Sequence, residues 1–240
     1  MSKTYAIYYG WLTANARGKP NSIAHDIAAA HVPLLIGHYR TGPPRPHINL
    51  SPDVMSLMNS AGTAVLAYVA TQWGRANVHR TAASVSKYLK GGVDGIFFDE
   101  ADALISEQNF RYYQILAARV WDAGKTVVLN AGVSRCGEAI MRVTDMLMVE
   151  HAWCDLAASS PWTRRYESNR FMGVSSNERN AMRYTVDEQR AIQDTRDAWQ
   201  AGIGWHTSTS CYIELPNWFS AYVQTVSAVR ESEATAPLHR

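Results

Sequence analysis

The sequence has 240 residues, 47% of them hydrophobic, which is enough to bury one sizeable core or two small ones. Its 23 basic and 21 acidic residues nearly balance, giving a formal net charge of +2. A dedicated nucleic-acid binder should present a clustered basic face, and the longest basic run here is the pair Arg164–Arg165, so we expect no nucleic-acid partner. The cysteines, Cys136, Cys154 and Cys211, lie far apart and form no CxxC pair, which argues against a disulfide framework or a zinc site.

The N-terminal segment Met1–Trp11 contains no long apolar region, so it does not resemble a signal peptide. No stretch of the sequence approaches the length of a transmembrane span, and we expect no membrane partner. A soluble, cytoplasmic protein is therefore expected, or a secreted one if the sequence has been trimmed at its start. The sequence does not predict an oligomeric state.

Short apolar runs rich in β-forming residues recur along the chain, and a helical pattern follows most of them. There are eight such runs: Tyr5–Tyr9, Pro33–His38, Thr63–Val69, Asp94–Asp99, Thr126–Asn130, Met146–Glu150, Phe171–Ser175 and Ile203–His206. Near-continuous apolar runs are typical of parallel strands that are covered on both faces. Eight β-α units predict an α/β protein with a single (β/α)8 barrel over residues 1–232 and a frayed tail over 233–240.

Several helices have recognisable starts. Ser51 precedes a proline, which is typical of a helix cap, and Ser106 precedes an amphipathic stretch through Val120. Thr185 and Glu188 have the spacing of a capping box. The weakest unit, between residues 154 and 169, is interpreted as a long loop with a short helix.

A doubly wound open sheet is the rival architecture for such an alternation of strands and helices. It normally carries a glycine-rich turn after the first strand, and here that position reads Tyr8-Tyr9-Gly10-Trp11. The sequence contains neither GxGxxG nor a Walker-type phosphate loop. We therefore favour the barrel and expect no cofactor.

The functional face of a (β/α)8 barrel lies at the carboxyl ends of its strands. Polar and aromatic residues are concentrated where the predicted strands end. In chain order, the candidate site residues are Tyr9, Trp11, His38, Tyr68, Asp99, Glu100, Asn130, Glu150, His151, Trp153, Trp205 and His206. A barrel built only for stability does not need this concentration, so we expect a binding or catalytic site there.

Two carboxylates in this set, Asp99 and Glu150, follow the fourth and sixth strands. Hydrolysis of a glycosidic bond needs one carboxyl group to protonate the leaving oxygen and a second to attack the anomeric carbon or activate water. Alternate strands face each other across the mouth, so this pair could flank one bond at roughly 5–9 Å. Tyrosine and tryptophan rings would stack on sugar rings. Side chains alternate along a strand, so only one of Asp99 and Glu100 should point straight into the mouth.

Two other functions remain open at this point. A carbohydrate-binding barrel without turnover would keep the aromatic rim and bind glycans without the acids. A metal-dependent hydrolase or lyase would use His38, His151 or His206 with Asp99 or Glu100. No HxH or HExxH spacing brings two histidines together, so we predict no metal site.

The segment GVDGIFFDE, the VVLNAG that begins about 30 residues later, and the next apolar run ending in Glu150 together resemble the spherulin-4-like barrels. That family is related to the endo-α-1,4-galactosaminidase group of glycoside hydrolases. The resemblance implies catalytic roles for Asp99 and Glu150, either of which could be the acid, and a pocket role for Asn130. It implies an endo-acting hydrolase of α-1,4-linked galactosamine or N-acetylgalactosamine polymers, so the expected partner is a polysaccharide or oligosaccharide.

Overall fold

The protein is described from a computed structural model. The described residues are 2–14, 18–37, 50–150, 153–176, 187–209 and 212–235. The proline-rich stretch at 40–46, the predicted cap Thr185, and the site candidates His38 and His151 lie outside them.

The described residues contain eight parallel strands that pair in chain order. The strands are β1 (Ala6–Tyr8), β2 (Leu34–Gly37), β3 (Ala64–Ala70), β4 (Gly95–Asp99), β5 (Thr126–Asn130), β6 (Met146–Glu150), β7 (Phe171–Ser176) and β8 (Trp205–Thr209). Lys3, just before β1, forms a parallel bridge with Trp205 at the start of β8 and so brings the two edges of the sheet together. The predicted (β/α)8 barrel is confirmed, and a doubly wound sheet is excluded.

Helices cover the outside of the barrel within the same described ranges. They are α1 (Ser22–Ala29), α2 (Pro52–Ser60), α3 (Val78–Lys90), α4 (Glu107–Trp121), α5 (Leu156–Ser159), α6 (Glu188–Gln200) and α7 (Phe219–Thr235). The caps predicted at Ser51 and Ser106 are confirmed, since each hydroxyl accepts a backbone N–H three residues later. The capping box predicted at Thr185 and Glu188 is wrong, because Asp187 caps α6 and Glu188 is its first residue.

Two apolar layers hold the fold together. The inner layer fills the barrel with side chains such as Ile7, Leu66, Phe97, Val128 and Met148. The outer layer lies between the strands and the helices and takes the alternate strand residues together with the buried helix faces. Successive side chains of a strand thus alternate between the two layers, and this alternation determines which side chains at the strand ends face the mouth.

The structure differs from the predicted elements most clearly at the eighth strand. The strand begins at Trp205 and ends at Thr209, whereas the apolar run was expected to end at His206. Ile203 belongs to the outer layer, and Gly204 packs against the backbone of Ser168 and Asn169 so closely that a Cβ would lie 2.5–2.6 Å from it. The segment before Trp205 therefore closes the bottom of the barrel and is not strand. The sixth unit is confirmed as a long connection with a short helix, α5; its described residues also contain 3-10 segments at Trp153–Asp155, Pro161–Arg165 and Ser168–Arg170.

Candidate active site

A cavity of about 470 Å³ opens at the carboxyl ends of the strands. Its lining combines carboxylates, an amide and aromatic rings. The lining residues are Tyr9, Trp73, Asp99, Glu100, Asn130, Ala131, Gly132, Val133, Glu150 and Tyr212. The position and chemistry of this cavity make it the candidate active site.

The strand period explains how the acids reach this cavity. Phe97, Val128 and Met148 all point into the barrel. Two residues later along the same strands come Asp99, Asn130 and Glu150. Side chains two apart on a strand share a face, so all three groups project into the mouth from the neighbouring strands β4, β5 and β6.

A single amide group joins the two carboxylates predicted to be catalytic. The Nδ2 of Asn130 donates to Asp99 Oδ1 at 2.7 Å and to Glu150 Oε1 at 2.8 Å. These two oxygens can therefore be no farther apart than the two bonds laid end to end, about 5.5 Å. Both carboxylates therefore border the same small volume. The distance between the bridged oxygens is well below the 10 Å beyond which the two groups could not act on one glycosidic bond.

The orientation of the Asn130 amide is fixed by its other atom. Its Oδ1 accepts the backbone N–H of Gly132 at 3.0 Å, so the NH2 group must face the acids. Gly132 has φ +67°, a left-handed conformation that glycine adopts without steric penalty. Asn130 itself is buried, so its hydrogen bonds compete little with water.

Tyr68 holds the second oxygen of Asp99. Its hydroxyl donates to Asp99 Oδ2 at 2.7 Å, so each oxygen of this carboxylate accepts a bond from a different strand. Burial, and after it the nearby Asp99, raises the pKa of Tyr68 far above its ordinary value, which keeps the hydroxyl protonated as a donor. Tyr68 was expected to bind substrate; the structure places its hydroxyl on Asp99, where it orients the carboxylate.

Three tyrosines form a packed wall beside the acids. The Tyr9 ring lies 5.1 Å from the Tyr68 ring, edge to face, and also 5.1 Å from the Tyr212 ring. Burial is the main cause that raises the pKa of Tyr9 well above its ordinary value, followed by the charge of Asp99. These rings give the cavity an apolar surface next to its charged groups.

Glu100 also lines the cavity, next to Asp99. Strict alternation would have sent one of these side chains away from the mouth. The strand ends at Asp99, however, and Glu100 has φ +53°, so the backbone turns there and both residues line the cavity. That only one of the two side chains points straight into the mouth stays a prediction.

Three candidates lie away from the cavity. Trp205 starts β8 at the opposite end of the barrel, where Lys3 Nζ lies 4.8 Å from its ring. His206 is fully buried on the outer side of the same strand, between the Ser175 and Thr195 hydroxyls at 3.1 and 3.0 Å. Trp153 packs on His206 and donates to Ser175 Oγ. The expectation that these three line the mouth is corrected.

The remaining candidate ring, Trp11, belongs to the loop after β1 and is 39% exposed, outside the cavity lining. The predicted site lacked five lining residues: the aromatic residues Trp73 and Tyr212, and the segment Ala131, Gly132 and Val133 that follows Asn130. Trp73 follows β3 and is 53% exposed. Tyr212 follows β8. It was missed because the eighth strand was predicted to end at His206, whereas it ends at Thr209.

The structure argues against His206 as a metal ligand. Burial lowers the pKa of His206 to about 3, and both of its ring nitrogens face hydroxyl groups behind the barrel wall. Over the ranges that the structure describes, no group of three or more His, Cys, Asp and Glu residues is arranged to hold a metal ion. Over the same ranges, no helix is both long and apolar enough to cross a membrane.

The fold and the site together define a (β/α)8 barrel with paired carboxylates at its mouth. Residues 40–226 match the model of the spherulation-specific family 4, and the chain belongs to that family. The resemblance to spherulin-4-like barrels seen in the sequence is thereby confirmed. A comparison with curated proteins returned no match.

Solved structures with a similar fold include Sph3 of Aspergillus clavatus in complex with GalNAc, with a TM-score of 0.67 and 18% identity over 93% of this chain and 96% of that one. A chitinase from Chromobacterium violaceum has a TM-score of 0.61 at 12% identity, covering 93% and 99% of the two chains. A chitinase from Rhizomucor miehei has a TM-score of 0.62 at 11% identity, also covering 93% and 99%. At these identities the likeness shows a shared fold.

Proposed function

We propose that this protein is an endo-acting glycoside hydrolase that cleaves an α-1,4-linked polymer of galactosamine or N-acetylgalactosamine. The observation that carries the proposal is the Asn130 bridge, which holds the Asp99 and Glu150 carboxylates on one small volume. Glycosidic cleavage needs two carboxyl groups placed in this way. Membership of the spherulation-specific family and the likeness to Sph3 bound to GalNAc support the choice of sugar.

In the proposed reaction, Asp99 is the nucleophile and Glu150 the general acid. Asp99 suits attack because Tyr68 and Asn130 each fix one of its oxygens. Its carboxylate would bond to the anomeric carbon while Glu150 passes a proton to the departing sugar oxygen. Glu150 would then take a proton from the water that releases the sugar, which restores both acids.

We propose that the reaction retains the configuration of the anomeric carbon. Retaining enzymes hold their carboxyl groups about 5–5.5 Å apart, and inverting enzymes about 6.5–9.5 Å apart to make room for a water. The distance that the bridge limits is the one between its two acceptor oxygens, at most about 5.5 Å, and this close approach supports direct attack by Asp99. An α-linked substrate should therefore release an α-configured product first.

The test is hydrolysis of defined α-1,4-galactosamine and N-acetylgalactosamine oligosaccharides by the wild type and by Asp99→Asn and Glu150→Gln. Each substitution should lower kcat at least about 10²-fold, the usual contribution of one positioned acid or base. Asp122→Asn is the matched control, because it removes an exposed carboxylate at the end of α4 farthest from the mouth.

Full activity in both active-site variants would refute the carboxylate mechanism. Proton NMR of the first-formed anomer tests the roles separately. A β-configured first product would exclude Asp99 as nucleophile while leaving the need for both acids intact. Glycan binding with no turnover by the wild type would instead favour the carbohydrate-binding barrel.

A further inference from the structure

Two buried hydroxyl groups lie behind the active-site cavity, between the ends of β3 and β4 and the helix α4. Thr71 follows β3 and is fully buried, and Tyr113 on α4 is 1% exposed. Their hydroxyl oxygens lie 3.0 Å apart. Neither residue lines the cavity. We call this pair the hydroxyl chain.

The number of protons fixes the direction of each bond in the hydroxyl chain. The Thr71 hydroxyl lies 2.9 and 2.8 Å from the carbonyl oxygens of Asp99 and Glu100, and since a carbonyl only accepts, Thr71 donates there. Thr71 has one hydroxyl proton, so Tyr113 must donate to the Thr71 oxygen. The Tyr113 oxygen in turn accepts the backbone N–H of Asp102 at 3.0 Å. Burial raises the pKa of Tyr113, which keeps its proton in place.

The hydroxyl chain begins and ends on one turn, residues 99–102, which follows β4. The Thr71 backbone N–H also donates to the carbonyl of Asp99, at 3.0 Å. The Ala101 N–H donates at 2.9 Å to the carbonyl of Asn130, whose side chain joins the two carboxylates of the proposed reaction. A shift of this turn would therefore move Asp99 relative to the amide that orients it.

The burial of the hydroxyl chain makes each of its bonds hard to replace. Solvent does not reach either hydroxyl, so water cannot take the place of a lost partner. Without the Tyr113 hydroxyl, the Asp102 N–H and the Thr71 oxygen both lose a bond, and the turn must move to satisfy them. Such movement matters for a reacting group, because a displacement of about 1 Å can lower a rate about 10²-fold.

We propose that Tyr113 and Thr71 are positioning residues, which act through the turn at residues 99–102 and set the place of the Asp99 carboxylate. The inference rests on the proposed function, in which Asp99 attacks the anomeric carbon. Loss of either hydroxyl lowers kcat and leaves KM nearly unchanged, because the residues that line the cavity are all retained.

The neighbouring tyrosine of α4 provides a matched control. Tyr112 is also buried, and its hydroxyl donates to Thr81 on α3 at 3.3 Å, away from the turn. Tyr112→Phe and Tyr113→Phe each remove one buried hydroxyl from the same helix, so both should lower stability to urea by a similar amount. On α-1,4-linked galactosamine and N-acetylgalactosamine oligosaccharides, only Tyr113→Phe should lower kcat, about tenfold, with KM within about twofold of wild type.

Thr71 allows a rescue test that does not depend on the folding of Tyr113→Phe. Thr71→Val removes the hydroxyl with little change of shape and should lower kcat about tenfold, whereas Thr71→Ser keeps the hydroxyl and should restore most of the rate. Because the two hydroxyls act in one chain, the double variant Thr71→Val and Tyr113→Phe should be about as slow as the slower single variant.

Equal kcat in Tyr113→Phe and Tyr112→Phe, no rescue by Thr71→Ser, or losses that multiply in the double variant would each overturn the proposal. Amide hydrogen exchange gives a readout that needs no turnover: the Asp102 N–H should exchange faster in Tyr113→Phe than in wild type or Tyr112→Phe. If wild type hydrolyses neither oligosaccharide, the proposed hydrolase is refuted. Faster exchange at Asp102 then still supports the hold of Tyr113 on the turn, and unchanged exchange overturns it.

Discussion

The buried histidine of β8 should make the fold sensitive to mild acid. His206 is fully buried, and burial lowers its pKa from the ordinary 6.5 to about 3. Below pH 6.5 the unfolded chain therefore binds a proton that the folded chain does not bind until about pH 3. The contribution of His206 to the free energy of unfolding is complete above pH 6.5 and falls as the pH drops toward 3. With these two values the loss from this one group is roughly 2 kcal/mol at pH 5 and roughly 3 kcal/mol at pH 4.

Urea unfolding at pH 7 and pH 5 measures this loss when wild type is compared with His206→Gln. The variant is expected to be less stable at pH 7, because Ser175 and Thr195 lose a partner, but its change in unfolding free energy between the two pH values should be smaller by roughly 2 kcal/mol. Asp194, whose pKa burial raises, acts in the opposite direction, yet it is present in both proteins and cancels in the difference.

His79→Gln, which changes an exposed histidine on α3, provides the control and should leave the pH dependence as in wild type. Identical pH dependence in wild type and His206→Gln would refute the reasoning. Should the variant fail to fold, the ring signals of His206 in the wild type decide the matter. They should stay in the neutral form down to about pH 4, and titration near pH 6.5 would contradict a pKa of about 3.

Three further substitutions test the site itself. Asn130→Ala removes the donor shared by Asp99 and Glu150, so kcat should fall about 10²-fold or more, measured on the preferred oligosaccharide. Tyr68→Phe removes one bond to Asp99 and should lower kcat about tenfold with little change in KM. Glu100→Gly should raise the free energy of unfolding by about 0.5–1 kcal/mol, because glycine adopts φ +53° without strain; a less stable variant would contradict this.

The sequence predicts most of the barrel because strand formation here is locally encoded. Runs such as Val127–Leu129 and Leu147–Val149 are buried on both faces, and an uninterrupted apolar run carries that information by itself. The same runs predict Asp99, Asn130 and Glu150 as site residues, since a polar group directly after a buried run lies at the mouth.

The sequence could not predict the parts of the site that depend on distant contacts. The start of β8 is determined by the packing of Gly204 against the backbone of Ser168 and Asn169, a contact 35 residues or more away in the chain. An apolar run with the pattern of Ile203–His206 fits either register, so His206 was placed at the mouth instead of behind the wall. Tyr212 was missed for the same reason.

The direction of Glu100 depends on another such contact, because its left-handed backbone is held by Thr71 and Trp73 from the neighbouring turn. Glu100 therefore keeps a backbone conformation that glycine would adopt without strain, and it adds a third acidic residue to the cavity lining, although two carboxylates suffice for glycosidic cleavage. Glu100→Gly and Glu100→Gln separate these two effects: the first relieves the strain, and both remove the charge.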